Sequence, residues 1–127
     1  HQDMRGVNRA ANAAQGFRPR PIRGDPRVEP SLDMIGHGDP GYPSARMSSA
    51  LVWAEVIAML LPERAAQAQA EAERVGWRRV VAGVHYPSDL AGSRYVASAV
   101  VRALLSNSRF RTDLAAVRKE MSKEGAR

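Results

Sequence analysis

The chain contains no cysteine, which excludes disulfides and thiolate metal sites. Aromatic residues are scarce at 6%, too few for the stacking platforms that single-stranded nucleic acid uses. No apolar run approaches the roughly eighteen residues that a membrane span requires; the longest, Ala50 to Leu61, is broken by Glu55. A membrane-embedded protein is therefore not expected. The stretch from His1 to Arg9 is polar and basic and does not read as a secretory signal, so a signal for export would have to lie outside this chain. Lysine is nearly missing too, and almost all of the 19 basic residues are arginine.

What remains is ordinary in size and mixture. A length of 127 residues suits one domain, 1–127, able to bury a core, and 44% hydrophobic with 25% charged residues fits a soluble globular protein. The net charge of +6 attracts anions. Nucleic acid is one such partner, but it is disfavoured because the arginines are scattered along the chain instead of forming one patch. A small phosphate ester explains the arginines that stand beside rigid loops equally well.

Periodicity points to an all-α bundle of about five helices, with no convincing strand alternation and no internal repeat. Met4, Val7, Ala11 and Ala14 recur at helical spacing from Asp3 to about Ala14, and Gly16 ends that helix. A segment from Arg18 to Pro43 holds most of the chain's eight prolines and reads as a long loop with brief helical turns. Ser44 to Leu61 is apolar almost all round, as in a helix at the middle of a bundle. Pro62 opens the next helix, whose alanine seam runs through Ala65, Ala68 and Ala72, and Gly76 is expected to bend it. A further helix starts at Ser88 or Asp89, and a last one is capped by Asn107 or Ser108.

The stretch that carries chemistry is Arg78 to Asp89, R-R-V-V-A-G-V-H-Y-P-S-D. It sets a cation (Arg79), an imidazole (His85) and a carboxylate (Asp89) at spacings of six and four. A carboxylate on one ring nitrogen fixes the histidine tautomer and leaves the other nitrogen free to attack or to take a proton. An arginine beside it holds an anionic oxygen pair. The plainer alternative is that Ser88 or Asp89 only caps a helix and the cluster is chance. Two more segments bear on the choice: G-Y-P-S-A-R at 41–46, a rigid loop opening a helix, and F-R-P-R-P at 17–21.

Taken in order, the three segments resemble the signature of the class A bacterial nonspecific acid phosphatases, within the type 2 phosphatidic acid phosphatase superfamily that also holds vanadium haloperoxidases. That signature reads K-x6-R-P, then P-S-G-H, then S-R-x5-H-x3-D. The resemblance implies an α-helical fold, a phosphate-ester substrate and a histidine that becomes phosphorylated. Residue by residue, His85 matches the nucleophile and Asp89 the carboxylate that orients it. Arg20, Arg79, Ser44 and Ala45 match the phosphate-binding positions, and a periplasmic or secreted location is implied in the same way. The likeness covers most of the chain, from near residue 8 to the last helix. It implies that the N-terminal half of the family fold lies outside it, so that the chain is a fragment or that a second copy, a homo-oligomer, or a partner supplies the missing helices.

Two positions depart from the signature. Ala13 stands where it has lysine, and Arg46 where it has the histidine that protonates the leaving oxygen. Arginine, with a pKa of roughly 12 or higher, is a poor general acid, and losing such an acid costs on the order of 10²- to 10⁴-fold in rate. Arg46 retains the ability to bind phosphate, Arg18 is a candidate replacement for the lost lysine charge, and His37 is a candidate surrogate acid. No metal site is expected from the spacing of His1, His37 and His85, and no cofactor is called for, although vanadate would mimic phosphate in the same arginine cage. Two readings stay open: a phosphomonoester hydrolase working through His85 with impaired turnover, or a noncatalytic phosphate-binding relative.

Overall fold

The computed structural model describes residues 2–16, 18–29, 31 and 41–124. These form six helices: α1 (Gln2–Gln15), α2 (Pro21–Gly24), α3 (Ala45–Leu60), α4 (Ala65–Val81), α5 (Pro87–Ser106) and α6 (Ser108–Glu124). A 3-10 turn at Pro62–Arg64 joins α3 to α4. No strand occurs among the described residues, so the fold is all-α as the periodicity predicts, and the four-residue α2 is one of the brief turns expected in the proline-rich loop.

Helix α3 is the hub, packing against α1, α4, α5 and α6. Met47, Leu51 and Ala54 on its inner face meet Ala72 of α4 and Leu90 and Ala97 of α5 in the core. Its outer face is wet, contrary to the all-round apolar reading. Trp53 is 66% exposed, and Glu55 and Ile57 also lie on the surface. Composition alone does not separate the two faces here because both are apolar.

Gly76 does not bend α4, which runs unbroken to Val81. Its role is close approach: a Cβ there would come within 2.5 Å of Met47 Sδ and 3.3 Å of Leu90 Cδ2. Small residues at a helix crossing let the axes draw together. Gly92 serves α5 in the same way by admitting the ring of Tyr42, which lays the 41–44 loop onto that helix.

The first helix docks by a face that only partly follows its apolar stripe: Met4 and Ala11 are half-buried, while Val7 and Ala14 are exposed. Asn8 and Asn12 are buried while Val7 is 39% exposed. Asn12 Nδ2 donates to Tyr42 O at 2.9 Å, Asn8 Nδ2 donates to Met4 O at 2.7 Å, and Ser48 Oγ lies 3.2 Å from Asn8 Oδ1. Buried amides are tolerated because each finds a partner. At the other end of the chain, Asn107 Oδ1 accepts from Phe110 N at 3.1 Å and so caps α6. Arg118 of α6 donates from Nε and Nη2 to Met59 O, at 2.9 and 2.6 Å, placing a cation on one carbonyl at the negative end of α3.

Helix α4 ends in a motif that decides where the next segment goes. Gly83 takes φ +72°, its N–H donates to Val80 O at 2.9 Å, and Val84 N donates to Arg79 O at 3.1 Å. This paired arrangement is the Schellman motif, which needs a left-handed residue at the position after the cap. Gly83→Ala is expected to lower stability by about 1–2 kcal/mol through that left-handed backbone. Gly6→Ala, in the exposed middle of α1 with nothing within 4 Å of the added Cβ, should raise it by about 0.5–1 kcal/mol. Denaturant titration of both variants gives the comparison, and equal shifts would contradict the assigned roles.

Candidate functional site

The two spacings singled out in the sequence are products of helix ends, one of a C-terminus and one of an N-terminus. The six-residue step from Arg79 to His85 spans the Schellman motif: Arg79 offers the carbonyl that Val84 bonds, so the residue after Val84 is returned beside the end of α4. The four-residue step from His85 to Asp89 spans the start of α5. Tyr86 is its N-cap, Pro87 its first residue, and Asp89 Oδ2 accepts from Tyr86 N at 2.8 Å. That is the reaching-back half of a capping box. Asp89, expected as one of two candidate helix starters, is instead the third helical residue, and the cap and the histidine share its carboxylate.

His85 is 5% exposed and Asp89 fully buried. Nδ1 of His85 lies 3.2 Å from Asp89 Oδ2, and Nε2 lies 3.1 Å from Arg20 Nη1. A carboxylate only accepts and a guanidinium only donates, so a neutral ring between them has one satisfactory tautomer, with the proton on Nδ1 and the lone pair on Nε2. The second hydrogen of Arg20 Nη1 serves Val84 O at 3.0 Å. Arg20 is itself buried and is held in place by α2, where Ile22 N donates to Gly83 O at 3.2 Å.

Arg18, read from sequence as a spare cation, is engaged elsewhere. Its Nη1 donates to Asp89 Oδ1 at 2.9 Å and its guanidinium lies over the Tyr86 ring, 4.5 Å from the centroid. The carboxylate therefore receives three donors, from Arg18, Tyr86 N and His85. The contact spans 71 residues of chain, and no local pattern announces it. Ala13 is exposed on α1 and supplies no charge. His37 lies outside the described residues. Arg78 is exposed, and Arg94 makes a two-bond ion pair with Glu73, at 2.9 and 2.5 Å, away from this cluster.

Ser44 is the N-cap of α3 yet makes no capping hydrogen bond with its side chain. Its Oγ is buried without a hydrogen-bond partner among the described residues, and so is Nε of Arg79. Ser44 is held by its backbone: its carbonyl is approached by Ser93 Oγ at 3.0 Å and Ser48 Oγ at 3.1 Å, while Ser93 Oγ also lies 2.9 Å from Asp89 O. These two serines, which the sequence reading missed, tie the start of α3 to α5. Ala45 follows as the first residue of α3, and no described non-glycine residue has positive φ, so its Cβ is accommodated where the signature has glycine.

The charges match this layout. Burial pushes the Arg79 guanidinium below its ordinary value, and the nearby positive charges of Arg46 and Arg20 push it further. The positive charges of Arg20 and Arg46 are thus felt at Arg79, and Arg46 stands in the first turn of α3, an arrangement that favours an anion nearby. Burial is also the main cause that pushes the His85 imidazole below its usual value, against the Asp89 hydrogen bond, with Arg20 and Arg79 adding to the depression. The ring is accordingly neutral at neutral pH with Nε2 unprotonated.

A histidine whose folded pKa lies below the unfolded 6.5 binds its proton more weakly in the native state. Its linkage term therefore favours the unfolded chain as pH falls, with the loss accumulating between the unfolded value and the lower folded one. Stability should decline on acidification through that window, and His85→Gln should flatten the decline when unfolding is followed by denaturant titration at several pH values. An unchanged slope in the variant would contradict a depressed His85.

Comparison with known proteins returns the same region. The PAP2 superfamily model matches residues 8–113. An acid phosphatase of Zymomonas mobilis is 31% identical over 118 residues, covering 92% of this chain and 44% of that protein. Non-specific acid phosphatases of Salmonella typhi and Salmonella typhimurium are each 32% identical, over 84 and 81 residues, covering 66% and 64% of this chain and 34% and 32% of theirs. The chain thus spans less than half the length of these relatives. With the family match running through α1 to α6 and enclosing every described residue of the cluster, the chain belongs to the PAP2 superfamily.

Proposed function

We propose that the cluster is the active site of a phosphomonoester hydrolase of the acid phosphatase type, with His85 as nucleophile. The observation that carries this reading is the lone pair on Nε2 of a buried, oriented imidazole, set among guanidiniums and two unpartnered buried donors, Ser44 Oγ and Arg79 Nε. Relatives named acid phosphatase align with 92% and 66% of this chain, which supports the same substrate class. The proposed substrate is a small phosphate ester, the class that the names of these relatives imply.

A phosphoryl group entering the cluster takes Arg20 from Nε2 onto its own oxygens, which frees the lone pair. Nε2 then attacks phosphorus, the P–N bond forms as the ester P–O bond breaks, and the electron pair leaves with the alkoxide or phenoxide. Positive charge developing on the ring is stabilised by Asp89 through Nδ1–H. Arg79, Arg20 and Ser44 Oγ hold the non-bridging oxygens as charge redistributes. Water next attacks phosphorus, returns the P–N electron pair to Nε2 and gives its proton to solvent.

A second reading rests on two particular residues. With Ala13 uncharged and Arg46 at the start of α3, the cage can bind phosphate without turning it over.

Hydrolysis of p-nitrophenyl phosphate from mildly acidic to neutral pH separates the two. His85→Ala should lose activity by about 10³-fold or more. Asp89→Asn, which disturbs the tautomer but keeps the shape, should lose about 10²- to 10⁴-fold. Vanadate should inhibit the parent chain. Turnover that survives His85→Ala would reject the nucleophile. Absence of turnover with phosphate still protecting the fold against heat would select the binding reading.

A further inference from the structure

The run Arg18, Pro19, Arg20, Pro21 sets two cations two residues apart, each followed by proline. A residue before proline is biased to extended backbone, and Arg20 has φ -69° and ψ 154°. In an extended chain, side chains two residues apart point to the same side. The two guanidiniums accordingly arrive together, one at each end of the pair formed by His85 and Asp89. Arg20 Nη1 lies 3.1 Å from Nε2 of the ring, and Arg18 Nη1 donates to Asp89 Oδ1 at 2.9 Å.

The two arginines meet different atoms. Arg20 stands at the nitrogen that attacks, whereas Arg18 stands at the carboxylate oxygen farther from the ring. Oδ2 of Asp89 serves both His85 Nδ1 and Tyr86 N. The terminal torsion of an aspartate is soft, so a grip on Oδ1 helps keep Oδ2 in line with the imidazole. Arg18 is itself held firmly. Its carbonyl accepts from Gly41 N at 2.8 Å, and its guanidinium rests on the Tyr86 ring, 4.5 Å from the centroid. One residue thus ties the first arginine segment to the 41–46 loop and to the start of α5, through a cation that is both stacked and bonded to a fully buried carboxylate.

We propose that Arg18 is a positioning residue for His85: by holding Oδ1 of Asp89 it keeps the carboxylate on Nδ1–H and the lone pair on Nε2. This rests on the reading of His85 as nucleophile. Arg18 acts through Asp89 and leaves the phosphoryl oxygens to Arg20, Arg79 and Ser44. Its charge works in the same direction. Burial weighs most against an imidazolium at His85, Arg20 before α2 and Arg79 of α4 also oppose it, and Asp89 of α5 favours it. A cation on Oδ1 offsets part of the negative charge that the ring feels, which favours the neutral, nucleophilic imidazole.

Two variants separate the parts of this role. Arg18→Gln keeps a hydrogen-bond donor and removes the charge, while Arg18→Lys keeps the charge without the planar fork. With p-nitrophenyl phosphate, Arg18→Gln should lower kcat by about ten- to a hundredfold, the weight of a charge-assisted hydrogen bond, with KM little changed. Arg18→Lys should recover part of that loss. The acidic limb of kcat/KM should move to higher pH in Arg18→Gln, because the ring then holds its proton more tightly. In an Asp89→Asn background the same Arg18→Gln change should cost little more, since the group it works through is already altered. An undiminished loss in that background, or a rise in KM at constant kcat, would place Arg18 on the substrate and overturn the proposal.

Nitrogen-15 NMR of the histidine rings decides the matter without turnover, the His85 signals being assigned by their loss in His85→Ala. The parent ring should carry its proton on Nδ1 at neutral pH. Arg18→Gln should raise the pH at which His85 titrates and mix the two tautomers, and Arg18→Lys should stay nearer the parent. An unchanged titration and tautomer in Arg18→Gln would overturn the positioning role. Failure of the nucleophile reading shows separately, as p-nitrophenyl phosphate hydrolysis that persists in His85→Ala.

Discussion

Three donors converge on the Asp89 carboxylate: the Arg18 guanidinium, the Tyr86 backbone N–H and the His85 imidazole. A fully buried carboxylate is costly unless its oxygens are occupied by donors, and here the occupants come from the loop before α2 and from the turn before α5. The backbone carbonyl of the same residue is approached by Ser44 N, at 3.5 Å, and by Ser93 Oγ, which brings in the start of α3. Remove the carboxylate and the proline-rich loop, the N-terminus of α5 and the orientation of the histidine lose a common anchor.

The arginines impose the opposite constraint. Arg20 and Arg46 both repel Arg79, and the fold positions the three through features that have other purposes. Arg79 is placed by the end of α4, Arg46 by the start of α3, and Arg20 by α2 leaning on the Gly83 turn. The helix ends supply position, and the hydrophobic contacts of Met47, Leu51, Ala72 and Leu90 supply the rigidity behind it. Such prepaid repulsion is returned as affinity when an anion enters, the usual logic of a preorganised electrostatic site.

Much of this was legible in the residues because it is local. Helix α5 with its apolar inner face, the proline at the start of the 3-10 turn, and the Arg79, His85 and Asp89 spacings all follow from chain geometry over a few residues. What escaped is set by distant neighbours. Asn8 and Asn12 look like exposed residues until Tyr42 and Ser48 are seen to receive them. Gly76 reads as a helix breaker until Met47 and Leu90 show that only hydrogen fits. Arg18 reads as a free cation until Asp89, far away in sequence, takes it. The outer face of α3 carries Trp53 and Ile57 as the inner face carries Leu51 and Met47, and no hydropathy pattern tells which side turns inward.

The double duty of Asp89 bears on how a protein of this kind would decay. Its carboxylate holds the N-cap amide of α5 whether or not any chemistry takes place, so relaxed selection on activity would still preserve it for the sake of the helix. His85 caps no helix: among the described residues its ring bonds to side chains, those of Asp89 and Arg20. Among descendants that had ceased to turn over substrate, the aspartate would outlast the histidine.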